Sequence, residues 1–290
     1  MVYSASTLIT FGLLAASIVA LWAPQIKLAQ YRVHAWVPVF AASVVSGFIG
    51  GILAWQAIAS LSAFGMLAKA ARELPVGRLI RGILMVFTGW MALALSMHLF
   101  PGFSNPSLVV GARFSPTGIP FTHHANFDTT SAGLILMAVY CNPQRTEWRR
   151  VLTKTYPIIA LTVAAVFGFA LLVGYVAFDF KLAPYTALFL TTNLLFTCVT
   201  EEAFFRGFMQ EQLTQFFPQR PRCAYMALVV AALLFGVAHG HGGPVLVALA
   251  AIAGMGYGYA YLATRRIEAS ILTHFAVNAV HFVFFTYPNL

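Results

Sequence analysis

Charged residues are scarce in this sequence. Asp, Glu, Lys and Arg make up 9% of its 290 residues, whereas hydrophobic residues make up 60%. A soluble domain has about 25% charged residues, so the 17 Lys and Arg and 8 Asp and Glu of this chain could not cover the surface of a soluble fold. The composition excludes a soluble enzyme and a disordered chain. It predicts an all-α fold, a polytopic bundle of about eight or nine transmembrane helices, at about 20 residues for each crossing.

Cysteine is also scarce. Cys141, Cys198 and Cys223 are odd in number and far apart, and they form no CxxC or zinc-ligand spacing, which excludes a disulfide framework and a structural zinc site. The net charge is +9, but no basic stretch is interleaved with aromatic residues, so we predict no nucleic-acid partner. The basic excess instead indicates cytoplasmic loops, which collect Lys and Arg in membrane proteins.

The apolar runs give the predicted spans and their orientation. The run 129–141 is short for a crossing of about 17–25 residues, and we expect it to cross with help from the preceding loop. Twelve basic residues then fall in the even-numbered loops and four in the odd-numbered ones, which predicts a cytoplasmic N-terminus. No Lys or Arg precedes the first run, so we expect an uncleaved span. The predicted spans are 5–23, 36–64, 82–100, 129–141, 156–178, 186–216, 223–239, 244–263 and 267–286.

Two adjacent glutamates and an arginine interrupt the apolar run 186–216. An ionisable side chain in the middle of a membrane costs about 2.5–3.5 kcal/mol and usually serves a function. In an α-helix, Glu202 and Arg206 lie at i, i+4, which favours an ion pair, whereas Glu201 points about 100° away. We therefore predict that Arg206 neutralises Glu202 and that Glu201 remains for chemistry. The alternative is a buried ion pair that only fixes the helix register.

Histidines form two further polar clusters near the C-terminus. His239 ends the run 223–239, with Phe235 one turn before it. His274 and Asn278 lie at i, i+4 in the last span and share a face. Glu201 and His239 are equally far in sequence from Arg220, in the predicted turn 218–221, so an antiparallel hairpin would bring them to a similar height.

These clusters contain the groups that hydrolysis of an acyl bond without a covalent nucleophile requires. A carboxylate beside a neutral imidazole can deprotonate water, so Glu201 and His239 are the candidates for water activation. Asn278 and His274 could donate hydrogen bonds to an oxyanion. A competing interpretation is zinc held by Glu and His side chains, although the chain has no HExxH or HxxEH spacing.

Three motifs resemble those of a known family. EExxxR at 201–206, FxxxH at 235–239 and HxxxN at 274–278 are similar to the motifs of CPBP family intramembrane proteases, the type II CAAX prenyl endopeptidase group formerly called the Abi family. Their order and spacing match across about 185–286. The resemblance implies a four-helix catalytic core in a membrane domain of residues 181–290. Residues 1–180 would form N-terminal transmembrane helices of unassigned role.

The resemblance also implies a role for each motif residue. Glu201 would be the catalytic glutamate, with His239 as its partner in activating water, and His274 and Asn278 would stabilise the oxyanion. The enzyme would be a metal-independent, glutamate-type endopeptidase without a cofactor. Its substrate would be a membrane-associated peptide or protein, such as one with a prenylated CaaX tail or a C-terminal anchor, and its active site would open toward the cytoplasm. The site-supporting residues would be Glu202, Arg206 and Phe235.

Other interpretations remain open at this point. A non-catalytic membrane protein, such as an immunity factor or scaffold, could use the same polar cluster as a binding pocket. We expect a lid or surface role for the polar residues of the proline-rich loop at 101–128. Those residues are His123, His124 and Asp128. Two pairs of glycines four residues apart predict close helix packing, namely Gly47 with Gly51 and Gly254 with Gly258.

Overall fold

The computed structural model describes residues 3–28, 30–143, 146–216 and 221–290. It is mostly helical (72%) with few strands, as the composition predicts. The chain divides into two compact units that interleave along the sequence. The domain division at 180/181 stays a prediction. Unit 1 comprises Met1–Leu108, His124–Arg145 and Leu195–Phe204, and unit 2 comprises Val109–His123, Thr146–Leu194 and Phe205–Leu290.

Unit 1 contains the N-terminal helices. The Ser4 hydroxyl accepts a hydrogen bond from the Thr7 amide (3.1 Å) and caps the first helix. That helix packs on the second through polar contacts, since the Ser43 hydroxyl donates to the Thr10 carbonyl at 2.8 Å. The elements are α1 Ala5–Val19, β1 Ile26–Leu28, β2 Tyr31–Val33, α2 Trp36–Ile49, α3 Trp55–Glu73, α4 Arg78–Ser96 and α5 Phe127–Tyr140. The antiparallel strands β1 and β2 join α1 to α2.

The predicted single span 36–64 is wrong, because α2 ends at Ile49 and α3 begins at Trp55. Between them Gly51 has φ +70°, a conformation that strains any residue with a side chain. The predicted packing role of Gly51 is therefore also wrong, since it is a turn residue. Gly47 does lie in a close contact: a Cβ there would be 2.9 Å from Leu53 Cδ1.

Six helical segments of the described chain are long and apolar enough to cross a membrane. The predicted count of eight or nine is not confirmed. The run predicted to cross at 129–141 forms α5, whose 14 residues extend for about 21 Å, less than the bilayer core of about 30 Å. All but three residues of α5 are buried, which is typical of a core helix. The six segments are Ala5–Trp22, Arg78–Ser96, Trp148–Leu172, Thr186–Phe216, Gly240–Thr264 and Ile267–Phe284.

Unit 2 contains the C-terminal helices, several of which approach closely at small residues. A Cβ on Gly254 would lie 3.2 Å from Ala232 Cα, and one on Gly258 would lie 2.9 Å from Gln210 Oε1. The predicted packing role of this glycine pair is confirmed. The predicted turn 218–221 lies largely outside the described residues, since 217–220 are not described. The helices are α6 Trp148–Leu172, α7 Thr186–Thr192, α8 Val199–Glu202 (in unit 1), α9 Glu211–Phe216, α10 Pro221–Ala238, α11 Gly243–Thr264 and α12 Ile267–Phe284.

The proline-rich loop forms a two-stranded sheet of β3 Ser107–Ala112 and β4 Phe121–His124. In unit 2 the loop meets the C-terminal segment, because the Tyr287 amide donates to the Ser115 hydroxyl at 2.9 Å. The Ser115 hydroxyl and the Lys181 ammonium group also hold the pKa of Asp179 below its usual value. Hydrogen bonds from Tyr287 to Ser115 and from the Lys181 ammonium group to the Phe285 carbonyl therefore hold the segment that follows α12.

Candidate active site

Glu201 and Glu202 lie on α8, a single α-helical turn between two π-helical stretches, Asn193–Cys198 and Ala203–Gln210. π-helical turns are rare and frequently occur at functional sites. The first stretch begins directly after Thr192, whose hydroxyl donates to the Leu188 carbonyl at 2.8 Å, a contact that often bends helices.

The π-helical backbone changes an inference made from spacing. Its hydrogen bonds run from residue i to residue i+5, so the α-helical angles assumed for residues after Glu202 do not hold between Ala203 and Gln210. The ion pair of Glu202 with Arg206 therefore stays a prediction. The two glutamates do differ in burial, since Glu202 is fully buried and Glu201 is only partly buried.

Within unit 1, α5 provides the support for the glutamate-bearing turn. A Cβ on Gly133 would lie 2.5 Å from both Cα and Oγ1 of Thr200, the residue before Glu201. Real Cβ atoms do not come this close, so only glycine permits the two backbones to approach as they do. Sequence reasoning missed Gly133, which appears there as one glycine in an apolar run.

Within unit 2, Arg206 is fully buried and surrounded by aromatic rings. Its Nη2 donates to the Gly254 carbonyl at 3.0 Å. Its guanidinium carbon lies 4.7 Å from the ring centroid of Phe235 and 5.2 Å from that of Tyr257. Ring faces attract cations, more strongly when water is excluded. These rings therefore stabilise a charge that would be costly to bury among aliphatic side chains.

His239 directly follows α10, and its ring orientation is defined. Its Nδ1 lies 2.8 Å from the carbonyl oxygen of Phe235, one turn earlier. Since a carbonyl can only accept, Nδ1 carries the proton, and in the neutral ring Nε2 is then an acceptor. The ring also contacts Phe235, with 4.6 Å between centroids. The FxxxH spacing thus lets one residue hold the histidine by both its carbonyl and its ring.

His274 and Asn278 lie on α12, as predicted. His274 is 3% exposed and stacks on Tyr257 at 4.5 Å and 14°, while it meets Phe235 edge-on at 5.7 Å. Asn278 Nδ2 donates to Asn193 Oδ1 at 3.2 Å. Sequence reasoning missed Tyr257 and Asn193, because a single Tyr or Asn in an apolar run gives no motif.

The structure thus brings together four of the five unit 2 members of the predicted site. They are Phe235 and the three residues whose side chains lie next to its ring, Arg206, His239 and His274. Glu201 and Glu202 belong to unit 1. In the described part of the chain, no three His, Cys, Asp or Glu side chains are grouped as metal ligands. The metal-independent mechanism stays a prediction.

The polar residues of the proline-rich loop have partners outside these clusters. His123 Nδ1 lies 2.5 Å from the Tyr185 hydroxyl in unit 2. In unit 1, the predicted surface role of Asp128 is wrong, because Asp128 lies in the first turn of α5 and is 1% exposed. Its carboxylate lies 2.7 Å from His98 Nδ1 and accepts a hydrogen bond from Asn105 Nδ2 at 3.0 Å. His124 Nδ1 lies 3.2 Å from the Ser107 hydroxyl.

Comparison with known proteins confirms the resemblance drawn from the motifs. Residues 183–280 match the model of the family described as type II CAAX prenyl endopeptidase Rce1-like, and this segment contains all three motifs. No curated protein and no solved structure matches the chain significantly. Together with the six apolar helices, the match supports an integral membrane protein and indicates a protease. Residues 183–280 are thus similar to type II CAAX prenyl endopeptidases of the Rce1-like family, which is consistent with a CPBP family protease.

Proposed function

We propose that the protein is a glutamate-type intramembrane endopeptidase that hydrolyses a peptide bond in a membrane-associated substrate. The observation that carries this proposal is the geometry of His239. With Nδ1–H donated to the Phe235 carbonyl, the neutral imidazole presents Nε2 as a hydrogen-bond acceptor, which is the form that water activation requires.

In the proposed reaction the Glu201 carboxylate accepts a proton from water, while His239 Nε2 orients that water by accepting a hydrogen bond from its other O–H. The water oxygen attacks the scissile carbonyl carbon and forms a tetrahedral oxyanion. When the C–N bond breaks, the proton held by Glu201 passes to the leaving amine nitrogen, which regenerates the carboxylate. The pairing of Glu201 with His239 rests on the three motifs and on the family match.

Burial supports the separation of roles between the two glutamates. A residue that deprotonates water has to be reached by water, and Glu201 is the less buried of the two glutamates, although its Oε2 atom is itself buried. Glu202 is fully buried and is assigned a supporting role with Arg206 and Phe235. A fully buried carboxylate needs compensating partners, which suits a structural group better than one that must meet a substrate.

We assign stabilisation of the oxyanion to Asn278 and His274. The amide nitrogen of Asn278 is a hydrogen-bond donor, and its bond to Asn193 Oδ1 fixes the orientation of the amide group. The stack of His274 on Tyr257 fixes the ring plane in advance. Donors that need no rearrangement during the reaction are the ones that stabilise a developing oxyanion most.

The substrate and orientation are proposed on broader grounds. The family match supports a CaaX-type substrate, prenylated or C-terminally anchored. The distribution of basic residues supports a cytoplasmic N-terminus and an active site that opens toward the cytoplasm. No cofactor takes part in the proposed reaction, and zinc held by Glu and His side chains is the alternative that the experiments below address.

The central experiment replaces Glu201 with Gln in the purified full-length protein, with a farnesylated CaaX reporter peptide as the probe. We expect the cleavage rate to fall by about 100-fold or more, the usual contribution of a positioned proton acceptor. Glu73→Gln is the matched control, because Glu73 is highly exposed at the end of α3. Undiminished cleavage by the Glu201→Gln protein would contradict the assignment of Glu201 as the catalytic residue. Absence of cleavage by the wild-type protein as well would favour a non-catalytic membrane protein.

Two further measurements separate the alternatives. Activity that survives extensive treatment with a chelator supports the metal-independent reaction, whereas loss on chelation and recovery with zinc would overturn it. Isolation of membrane proteins that remain bound to the Glu201→Gln variant, followed by mass spectrometry, tests the substrate class. Captured proteins without a CaaX tail or a C-terminal anchor would contradict that part of the proposal.

A further inference from the structure

Four basic residues lie close together where α3 turns into α4. They occupy the last turns of α3 and the first turn of α4, on either side of the short connection at 74–77. All four are exposed, and Glu73 is the acidic residue among them. We call this segment the basic turn; its cationic residues are Lys69, Arg72, Arg78 and Arg81.

The basic charges of this turn are not neutralised as they are elsewhere in the protein. At the connection between α11 and α12, Arg265 Nη2 lies 2.7 and 2.8 Å from the two oxygens of Glu211, and Arg266 Nη2 lies 3.1 Å from Glu268. In the basic turn, by contrast, Lys69 is 3.9 Å from Glu73, with the two side chains 68% and 61% exposed. Such an exposed pair contributes little attraction.

The partners of the arginines in the basic turn are uncharged. Arg81 Nη2 donates to the Leu74 carbonyl at 2.8 Å, and the Arg72 guanidinium lies 5.6 Å from the ring centroid of Tyr140. In the described part of unit 1, neither these two arginines nor Arg78 has a carboxylate partner. The protein thus orients positive charges here without compensating them.

The position of the basic turn relative to a membrane follows from α4. This helix is one of the candidate spans, and one of its faces is apolar and exposed from the first turn onward. Because the face begins at Leu79, the side chains of Arg78 and Arg81 lie within about 5 Å of the start of the apolar stripe along the helix axis. Long cationic side chains at such a boundary reach toward the lipid headgroups. The exposed stripe consists of Leu79, Ile80, Ile83, Val86, Phe87, Trp90, Leu93 and Met97.

We propose that the basic turn binds the headgroup of an anionic phospholipid. Clusters of four or more Lys and Arg beside a membrane-spanning helix attract anionic lipids, and the phosphate of such a lipid would supply the negative charge that the turn lacks. Arg72 and Arg81 are held by neutral contacts within the protein, so their order does not have to be established when the lipid binds. This site is independent of the proposed hydrolytic reaction.

The test uses the full-length protein in nanodiscs of phosphatidylcholine that contain a minor fraction of a photoactivatable phosphatidylglycerol. We expect labelled peptides from the end of α3 and the start of α4. Neutralising both arginines of the first turn, Arg78→Gln with Arg81→Gln, should reduce this labelling by about tenfold or more, since each cation near an anionic surface contributes about fivefold. Arg78→Lys with Arg81→Lys should retain most of it, because the attraction is one of charge.

The matched control is Arg265→Gln, which removes the same kind of charge from a side chain paired with Glu211 and should leave the labelling of the basic turn unchanged. Equal labelling of the wild-type and double Gln proteins, at equal thermal stability, would overturn the proposal. So would an equal reduction by Arg265→Gln, which would indicate a general charge effect. Complete competition by soluble glycerol phosphate would show a site for free phosphate compounds and not for a lipid.

Discussion

The two acidic residues and the two histidines of the proposed site are held by different kinds of contact. In unit 1, the turn that bears Glu201 lies against α5 where Gly133 leaves no space for a Cβ. In unit 2, His239 and His274 lie against the rings of Phe235 and Tyr257. The first arrangement depends on the absence of side-chain atoms and the second on the presence of aromatic faces. The contact between Gly133 and the glutamate turn should therefore not tolerate even a methyl group at Gly133. The histidine cluster should tolerate a substitution that keeps the aromatic ring in place.

The largest expected effect comes from removing the cation at the centre of the aromatic cluster. Arg206→Met keeps a side chain of similar length but loses the contacts with the rings and the hydrogen bond to Gly254. We expect the free energy of unfolding to fall by about 3 kcal/mol, as measured by thermal unfolding in detergent. Arg149→Met on an exposed turn of α6 is the control and should change it by less than about 0.5 kcal/mol. An unchanged free energy of unfolding in the Arg206→Met protein would show that the aromatic rings alone stabilise the cluster.

The next largest effect tests the glutamate turn. Gly133→Ala forces the backbone at Thr200 to move and should lower the free energy of unfolding by about 1–3 kcal/mol, the usual cost of overpacking. Cleavage of the reporter peptide should also slow at temperatures where the variant is fully folded, because Glu201 moves with Thr200. The control is Gly65→Ala in α3, where a Cβ meets nothing within 4 Å. That protein should be as stable as the wild type or slightly more so, since Ala favours helix.

A smaller effect sharpens the comparison on the histidine side. Tyr257→Phe keeps the ring that stacks on His274 and faces Arg206, whereas Tyr257→Leu removes it. We expect Tyr257→Leu to be less stable than Tyr257→Phe by about 1–2 kcal/mol, the sum of an aromatic pair and part of a cation–π contact. Tyr257→Leu should also lower kcat more than it raises KM if the stack positions His274 for the reaction. Equal values for the two variants would contradict a positioning role for the ring.

The smallest effect concerns Arg265, where the backbone conformation favours glycine but the side chain forms an ion pair. Arg265 ends α11 with φ +56°, which favours glycine, yet its side chain pairs with Glu211. Both Arg265→Ala and Arg265→Gly lose this pair, so its contribution is the same in the two variants, but only glycine relieves the backbone strain. We expect Arg265→Gly to be more stable than Arg265→Ala by about 1 kcal/mol in thermal unfolding. The opposite order would show that the strain there is negligible.

Several features of the fold and the candidate site could be predicted from the sequence because they depend on local properties. The scarcity of charge predicts membrane helices, and the FxxxH and HxxxN spacings predict which residues lie one helical turn apart. The EExxxR spacing does not fix the face of Arg206, because the backbone after Glu202 is π-helical. The break at Gly50–Gly51 was missed because hydropathy does not register a turn between two apolar runs, although a Gly-Gly pair is itself a turn signal. The prediction for 129–141 depended on extra residues from the preceding loop. Only Phe127 and Asp128 of that loop join the helix, whereas Phe121–His124 form a strand.

By itself the sequence determined that this protein crosses a membrane and which few polar residues interrupt its apolar helices. It could do so because the free-energy cost of burying a charge applies to each residue separately. Only the tertiary structure decided how those residues are supported. The approach of Gly133 to Thr200, the stack of Tyr257 on His274 and the bond from Asn278 to Asn193 each join segments that are distant in sequence. Such contacts depend on how the helices pack, and the sequence around a single side chain in an apolar run does not indicate which residue it will contact.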